Sequence, residues 1–227
     1  MSIRENLLRL TGRIERAAEG AGRDPKSIQL VVVTKTVGVE QIREAIDCGV
    51  KLLGENRVHE ALEKQAEIGR ASVEWHMVGH LQSRKAKQAA EAFDMIQSVE
   101  SISTAEALDK RCGVLGRSMP ILIEVNTSGE EQKYGVSLEG AESFIRRVAR
   151  MRPLRVEGLM TMAAFVADPE EARASFRRLR ELANELATKN IEGASFRVLS
   201  MGMSNDFEVA IEEGATMIRI GTAIFAE

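Results

Sequence analysis

Ile28-Gln29-Leu30-Val31-Val32-Val33-Thr34-Lys35 is a short apolar run, rich in β-branched residues, that ends on a lysine. A run of this length and composition reads as a buried strand. The pattern returns seven more times, at 51–56, 75–80, 95–99, 120–126, 156–162, 196–202 and 217–221. The segments between these runs carry helical periodicity. Strands alternating with helices imply parallel βαβ units, and eight evenly spaced units favour a closed ring over an open doubly wound sheet. The sequence therefore predicts the α/β class: a single TIM-type (β/α)8 barrel domain over 1–227, with an extra helix before the first strand.

The helix signals agree with that division. Ser2 and Glu5 form a capping box at the start of the chain, and Ser103 with Glu106 reads as another ahead of Ala107 and Leu108. Asp168-Pro169-Glu170-Glu171 supplies an N-cap, a proline at the first helical position and an acidic first turn. Phe176, Leu179, Leu182 and Leu186 then line one face of a helix over Ala172–Lys189. Ser204-Asn205-Asp206 opens a helix ending near Gly214, with Ser204 as its expected cap. The polar or small-residue stretches Thr127–Val136 and Ala163–Asp168 read as long loops on the functional face.

Composition narrows the function. A net charge of -3 gives no basic footprint for duplex nucleic acid, and one Trp with one Tyr gives no base-stacking platform. The basic runs Arg84-Lys85-Ala86-Lys87 and Arg146-Arg147 sit among helix formers and read as solvated faces. Cys48 and Cys112 make no metal spacing and no disulfide framework. The N-terminus lacks the apolar core of a signal peptide, and no apolar run approaches the ~20 residues that span a bilayer. A cytoplasmic protein without membrane or nucleic-acid partners is expected.

Barrel enzymes place their chemistry at the C-terminal ends of the strands. Lys35 stands at the first such end. An apolar wall around it would disfavour the ammonium and free an amine to attack a carbonyl, although a strand-end lysine also commonly snorkels to water. Ser200-Met201-Gly202-Met203-Ser204 and Gly221-Thr222 follow the seventh and eighth strands, where barrels often bind phosphate. Their glycines permit close backbone approach, and a helix N-terminus favours an anion, but turns and caps would use the same residues. Arg219 alternates with apolar residues, so it faces inward and needs an acceptor, either a buried carboxylate or a ligand. Asn56 caps the next helix or faces a ligand. His80 reads as a rim residue, His76 as an interior histidine, and Met201 and Met203 as packing around a pocket.

With these stretches assembled, the chain resembles the pyridoxal phosphate homeostasis protein family, related to the N-terminal barrel of alanine racemase. The resemblance runs through Val33-Thr34-Lys35-Thr36, Gly54-Glu55-Asn56, Glu74–Gly79, Leu81-Gln82-Ser83, Gly158-Leu159-Met160, Ser200–Ser204 and Met217–Thr222. It implies pyridoxal 5'-phosphate (PLP) held as a Schiff base on Lys35. It also implies a phosphate cradle of Ser204, Gly221 and Thr222 with Ser200, Met203 beside it, Arg219 facing the pyridine nitrogen and Asn56 near the ring. An arginine there leaves that nitrogen unprotonated and weakens the electron sink of PLP catalysis. The resemblance thus implies a PLP carrier acting in vitamin B6 homeostasis, expected to be monomeric, with other B6 vitamers and apo-PLP enzymes as further partners. Racemases of this relationship add a β domain and a tyrosine base from the partner subunit, which this sequence does not offer; Tyr134 is expected to lie in a loop. A PLP-dependent racemase-like enzyme is the alternative, followed by a lyase that uses Lys35 without a cofactor. The chain departs from the family pattern at Arg84, at His80 and in a short tail ending Ala226-Glu227.

Overall fold

The computed structural model describes residues 2–130, 134–164 and 166–226. Nine strands lie parallel: β1 (Gln29–Val33), β2 (Leu52–Glu55), β3 (Glu74–Met77), β4 (Met95–Val99), β5 (Met119–Asn126), β6 (Val136–Ser137), β7 (Leu154–Met160), β8 (Ala194–Ser200) and β9 (Met217–Ile220). β1 pairs with both β2 and β9, and β4 pairs with β5, so eight strands close into a ring. The expected barrel is therefore present, with strand ends within three residues of those expected. The sequence reading missed β6, two residues that pair with Val125 and Asn126 outside the ring. It lies at the end of the loop predicted over Thr127–Val136; residues 131–133 of that loop, and residue 165 of the loop after β7, lie outside the described residues.

The helices are α1 (Ile3–Gly20), α2 (Val39–Asp47), α3 (Val58–Ile68), α4 (Ala86–Ala92), α5 (Ile102–Leu115), α6 (Ala141–Val148), α7 (Arg173–Thr188), α8 (Phe207–Glu212) and α9 (Thr222–Phe225). Strand and helix alternate because each strand's outward face is apolar and each helix offers one apolar stripe to cover it. Trp75, Phe93, Phe176 and Phe207 are fully buried in the shell between strands and helices. Burying a side chain of this size is worth about 1.5–3 kcal/mol. The extra helix α1 buries Ile3, Leu7, Leu10 and Ile14 and packs on α8 and α9. Arg13 clamps Glu208 with bonds of 2.9 and 2.7 Å while lying over the Phe207 ring at 4.7 Å.

The Ser2–Glu5 capping box forms, with Glu5 N–H donating to Ser2 Oγ at 3.2 Å and Ser2 N–H to Glu5 at 2.9 Å. Asp168 caps as expected, accepting from Glu170 N–H at 3.0 Å. Two expected caps are displaced. The cap of α5 is Ser101, not Ser103; its Oγ accepts from Thr104 N–H at 3.2 Å, because the helix starts two residues earlier than the box implied. Ser204 does not cap α8; Asp206 holds that position and its Oδ1 accepts from Met203 N–H at 2.6 Å, closing the turn after β8.

Behind β1, one charged pair is buried in the wall. Lys64 on α3 donates to Glu55 Oε1 at 2.6 Å and to the Thr34 carbonyl at 2.7 Å, and Thr34 Oγ1 donates to the same Glu55 oxygen at 2.6 Å. These bonds anchor the backbone immediately before Lys35.

Candidate ligand site at the barrel mouth

Strand alternation sorts the interior into layers. A small apolar cluster of Val31, Val78 and Met217, with Val33, Leu52, Met95 and Val198 against it, fills the inside of the ring, separate from the outer shell. Toward the C-terminal ends, inward positions turn polar: Met95 gives way to Gln97, Val198 to Ser200, Met217 to Arg219 and Leu122 to Glu124.

These side chains form a chain across the barrel. His76 Nδ1 lies 2.9 Å from Gln97 Nε2, Ser200 Oγ donates to Gln97 Oε1 at 2.6 Å, and Arg219 Nη1 donates to Ser200 Oγ at 2.6 Å. Arg219 Nη2 donates to the Thr161 carbonyl at 2.8 Å, and Thr161 Oγ1 donates to the Val125 carbonyl at 2.8 Å. Arg219, 4% exposed, thus bonds neutral acceptors, neither the carboxylate nor the bare ligand position weighed from the sequence. Burial lowers its pKa to about 10, opposed by Glu124 and Asp206, so it stays charged at neutral pH with less margin than a free guanidinium. Glu124 is pushed up to about 7, first by burial and then by Glu100, against the pull of Arg219. Burial also raises Asp206, opposed by the Met203 N–H and Arg219.

Val31 and Val33 lie on the inner face of β1, and Lys35 follows in the turn after the strand. Val33 pairs with Gly54, so Lys35 and Asn56 each stand two residues past a paired position at the mouth. Lys35 is exposed, as in the second of the two readings of a strand-end lysine. It is followed by Thr36 at φ 61°, a left-handed conformation that a β-branched residue rarely adopts. Asn56 does not cap α3, whose N-cap is Arg57; its Oδ1 is buried with no hydrogen-bond partner. Gly79 makes room for it, since a Cβ there would lie 2.6–2.7 Å from Asn56 atoms.

The ends of β8 and β9 converge beside β1. Ser204 Oγ faces Ala223 N–H at 3.5 Å in the first turn of α9, which Gly221 and Thr222 open. Gly221 lies against β1, where a Cβ would meet the Val33 carbonyl at 2.8 Å. The structure therefore brings Ser204, Gly221 and Thr222 together next to β1, whose following turn carries Lys35. Met203 is part-buried at the same turn. Ser200 differs from them: its hydroxyl is fully buried and bonded to Gln97 and Arg219.

At the rim, His80 Nδ1 lies 2.5 Å from Glu100 Oε1, Gly135 N–H donates to Glu100 Oε2 at 2.5 Å, and Tyr134 stacks on His80 with ring centroids 4.2 Å apart. Arg84 is exposed and donates to Gln82 at 2.9 Å. Sequence reasoning passed over Gln97, Glu124, Asp206 and Thr161. The first two carried a legible signal, a polar residue at an inward position of an otherwise apolar strand. Among the described residues, no group of His, Cys, Asp and Glu could hold a metal ion, and no helix is long and apolar enough to cross a membrane.

Comparison with known proteins matches residues 6–227 to the family described as the alanine racemase N-terminal domain. A pyridoxal phosphate homeostasis protein from Aquifex aeolicus is 41% identical over 227 residues, 100% of this chain and 99% of that protein. An unknown protein from Bifidobacterium adolescentis superposes with a TM-score of 0.90 at 36% identity, over 98% of this chain and 94% of its own. PipY of Synechococcus elongatus PCC7942, solved with PLP bound, superposes with a TM-score of 0.82 at 37% identity, over 94% of this chain and 100% of its own.

Proposed function

Since this chain belongs to the alanine racemase N-terminal domain family, we propose that it is a pyridoxal 5'-phosphate carrier that holds the cofactor as a Schiff base on Lys35 and serves PLP homeostasis without strong catalysis of its own. The observation that carries this reading is the convergence at the mouth of the exposed Lys35, the unpartnered Asn56 Oδ1 and the turn of Ser204, Gly221 and Thr222. The full-length relatives named for PLP homeostasis, and the relative solved with PLP, support it.

The residues present fit the group. PLP supplies an aldehyde that condenses with a lysine amine, a phosphate and a pyridine ring. Lys35 offers the amine, exposed in the turn after β1. The first turn of α9 and Ser204 offer backbone and hydroxyl donors for an anion. Asn56 can turn its amide toward the ring, which would give its lone oxygen or nitrogen a partner. Arg219, clamped by Ser200 and Thr161, would offer a fixed positive charge to the ring nitrogen. A guanidinium that holds its proton at neutral pH gives none to a ring nitrogen, so the site favours retention over carbanion chemistry.

The test is the absorbance spectrum of the protein with and without PLP, followed by borohydride reduction and peptide mass spectrometry. A cofactor mass on the Lys35 peptide, lost in Lys35→Ala, is expected. A protein that stays colourless with added PLP, or reduction that labels another lysine, overturns the assignment. The racemase alternative predicts deuterium exchange at the α-carbon of amino acids above the rate of free PLP.

A further inference from the structure

Glu124 is not used by that function, and its surroundings are unusual. It lies on the inward face of β5, 2% exposed, and its Oε2 is buried without a hydrogen-bond partner. An unpaired oxygen in so dry a place is costly to ionise. Arg219 on β9 favours its charge, and Glu100, after β4, opposes it. Glu100 is itself tied to His80 from the end of β3 and to the Gly135 N–H. On the other flank, Glu124 pairs in register with Met160 of β7, and the charged residues of that strand, Arg155 and Glu157, bond each other at 3.1 Å. His76 of β3 shares the interior but is bonded to Gln97, and Asp206 acts on Arg219 rather than on Glu124.

Arg219 has no carboxylate among its hydrogen-bond partners, so its charge is balanced through space by Glu124 and Asp206. A ring nitrogen that accepts from Arg219 competes with Glu124 for that charge, and the negative charge that the ligand brings to the mouth repels an ionised Glu124. Linkage makes the effect reciprocal: ligand binding favours the proton, and the proton favours the ligand.

We propose that Glu124 is a proton-linked positioning residue of the mouth, so that docking of an anionic, phosphate-bearing pyridine near Arg219 drives a proton onto Glu124 Oε2. The inference rests on the PLP-site reading, and it assigns to that site a response to pH that Lys35 and the phosphate turn do not by themselves require.

The probe is pyridoxine 5'-phosphate, which lacks the aldehyde and so cannot bond covalently to Lys35. Its binding to the intact protein is followed by calorimetry between pH 6 and 8.5, in buffers of different ionisation enthalpy. The wild type should take up a fraction of a proton per ligand near pH 7 that Glu124→Gln does not. The ratio of Kd between wild type and Glu124→Gln should rise about fivefold or more from pH 6.5 to 8.5, since the variant cancels the ligand's own titration. Infrared difference spectra of the wild type supply a readout free of any folding defect in the variant, because binding should add a protonated-carboxyl band. Binding with the same proton uptake in both proteins, or no new carboxyl band, overturns the inference and leaves the PLP reading standing. No binding of the probe at any pH, together with a colourless protein in PLP, overturns both.

Discussion

Lys64→Met tests whether the wall behind Lys35 is held by charge. The ammonium is 2.6 Å from Glu55 Oε1, with the two side chains 12% and 0% exposed. Removing it leaves a fully buried carboxylate with one hydroxyl, Thr34 Oγ1, as its remaining donor, since Oε2 has no partner. Breaking one side of a buried pair costs about 3–5 kcal/mol, far more than an exposed pair would. For a chain of this size, a urea m-value of about 2–3 kcal/mol/M turns that into a midpoint shift of roughly 1–2 M. Glu55→Gln combined with Lys64→Met removes the stranded charge and should recover most of the loss. Hydrogen exchange adds a local readout. The Thr34 N–H bonds the Gly54 carbonyl across the β1–β2 seam, and it should exchange faster in the single variant. A single variant within about 1 kcal/mol of wild type, or a double variant no better than the single, would refute the account of the pair as a mutually dependent charge network.

Further tests concern the interior and the seams. Ser200→Ala removes the bridge between Gln97 Oε1 and Arg219 Nη1 and should cost about 2 kcal/mol in denaturant melts, with weaker PLP uptake; full retention of both would mean the bridge does not orient the guanidinium. Gly158→Ala places a Cβ 1.9 Å from the Val198 carbonyl in the β7–β8 seam, and overpacking of at least about 3 kcal/mol is expected from the same melts. Glu124 has a folded pKa of about 7, above the ordinary value of 4.5, so the folded chain binds more protons between those values. Its contribution therefore falls as pH rises through that window, by roughly 3 kcal/mol in total, and Glu124→Gln should be the more stable protein at pH 8 but not at pH 4.5. Melts of both proteins across that range check the sign.

Much of this architecture was legible in the sequence because period and burial coincide. The eight apolar runs became the eight barrel strands, and Arg219, flagged by its alternation with Met217, Ile218 and Ile220, is inside as expected. Local signals failed where two candidates competed within three residues. Ser101 and Ser103 stand two residues apart at the start of α5, and the first is the cap. Asn56 carried a cap's chemistry, but α3 starts at Val58 and Arg57 takes the position. The partners of Ser200 were illegible for another reason. Gln97 lies 103 residues away, and nothing local to either residue announces a contact made across a closed ring. Lys35 was legible only as two alternatives, and the structure has the exposed one: β1 ends at Val33, two residues earlier, and the side chain stands in solvent.

The separation of the two apolar clusters bears on how such a barrel can change its occupation. The large side chains sit in the outer shell between strands and helices, while the lumen has only a thin apolar plug under its polar layer. Folding and recognition thus draw on different faces of the same strands. A library randomised at Gln97, Glu124, Ser200 and Arg219 should keep more folded members than one randomised in the shell, because none of the four contributes to the shell. The same number of changes among Trp75, Ile96, Ile123 and Leu199 should yield few. A chain built this way can change its ligand contacts while the shell stays intact, the cost of each such change being confined to the polar layer.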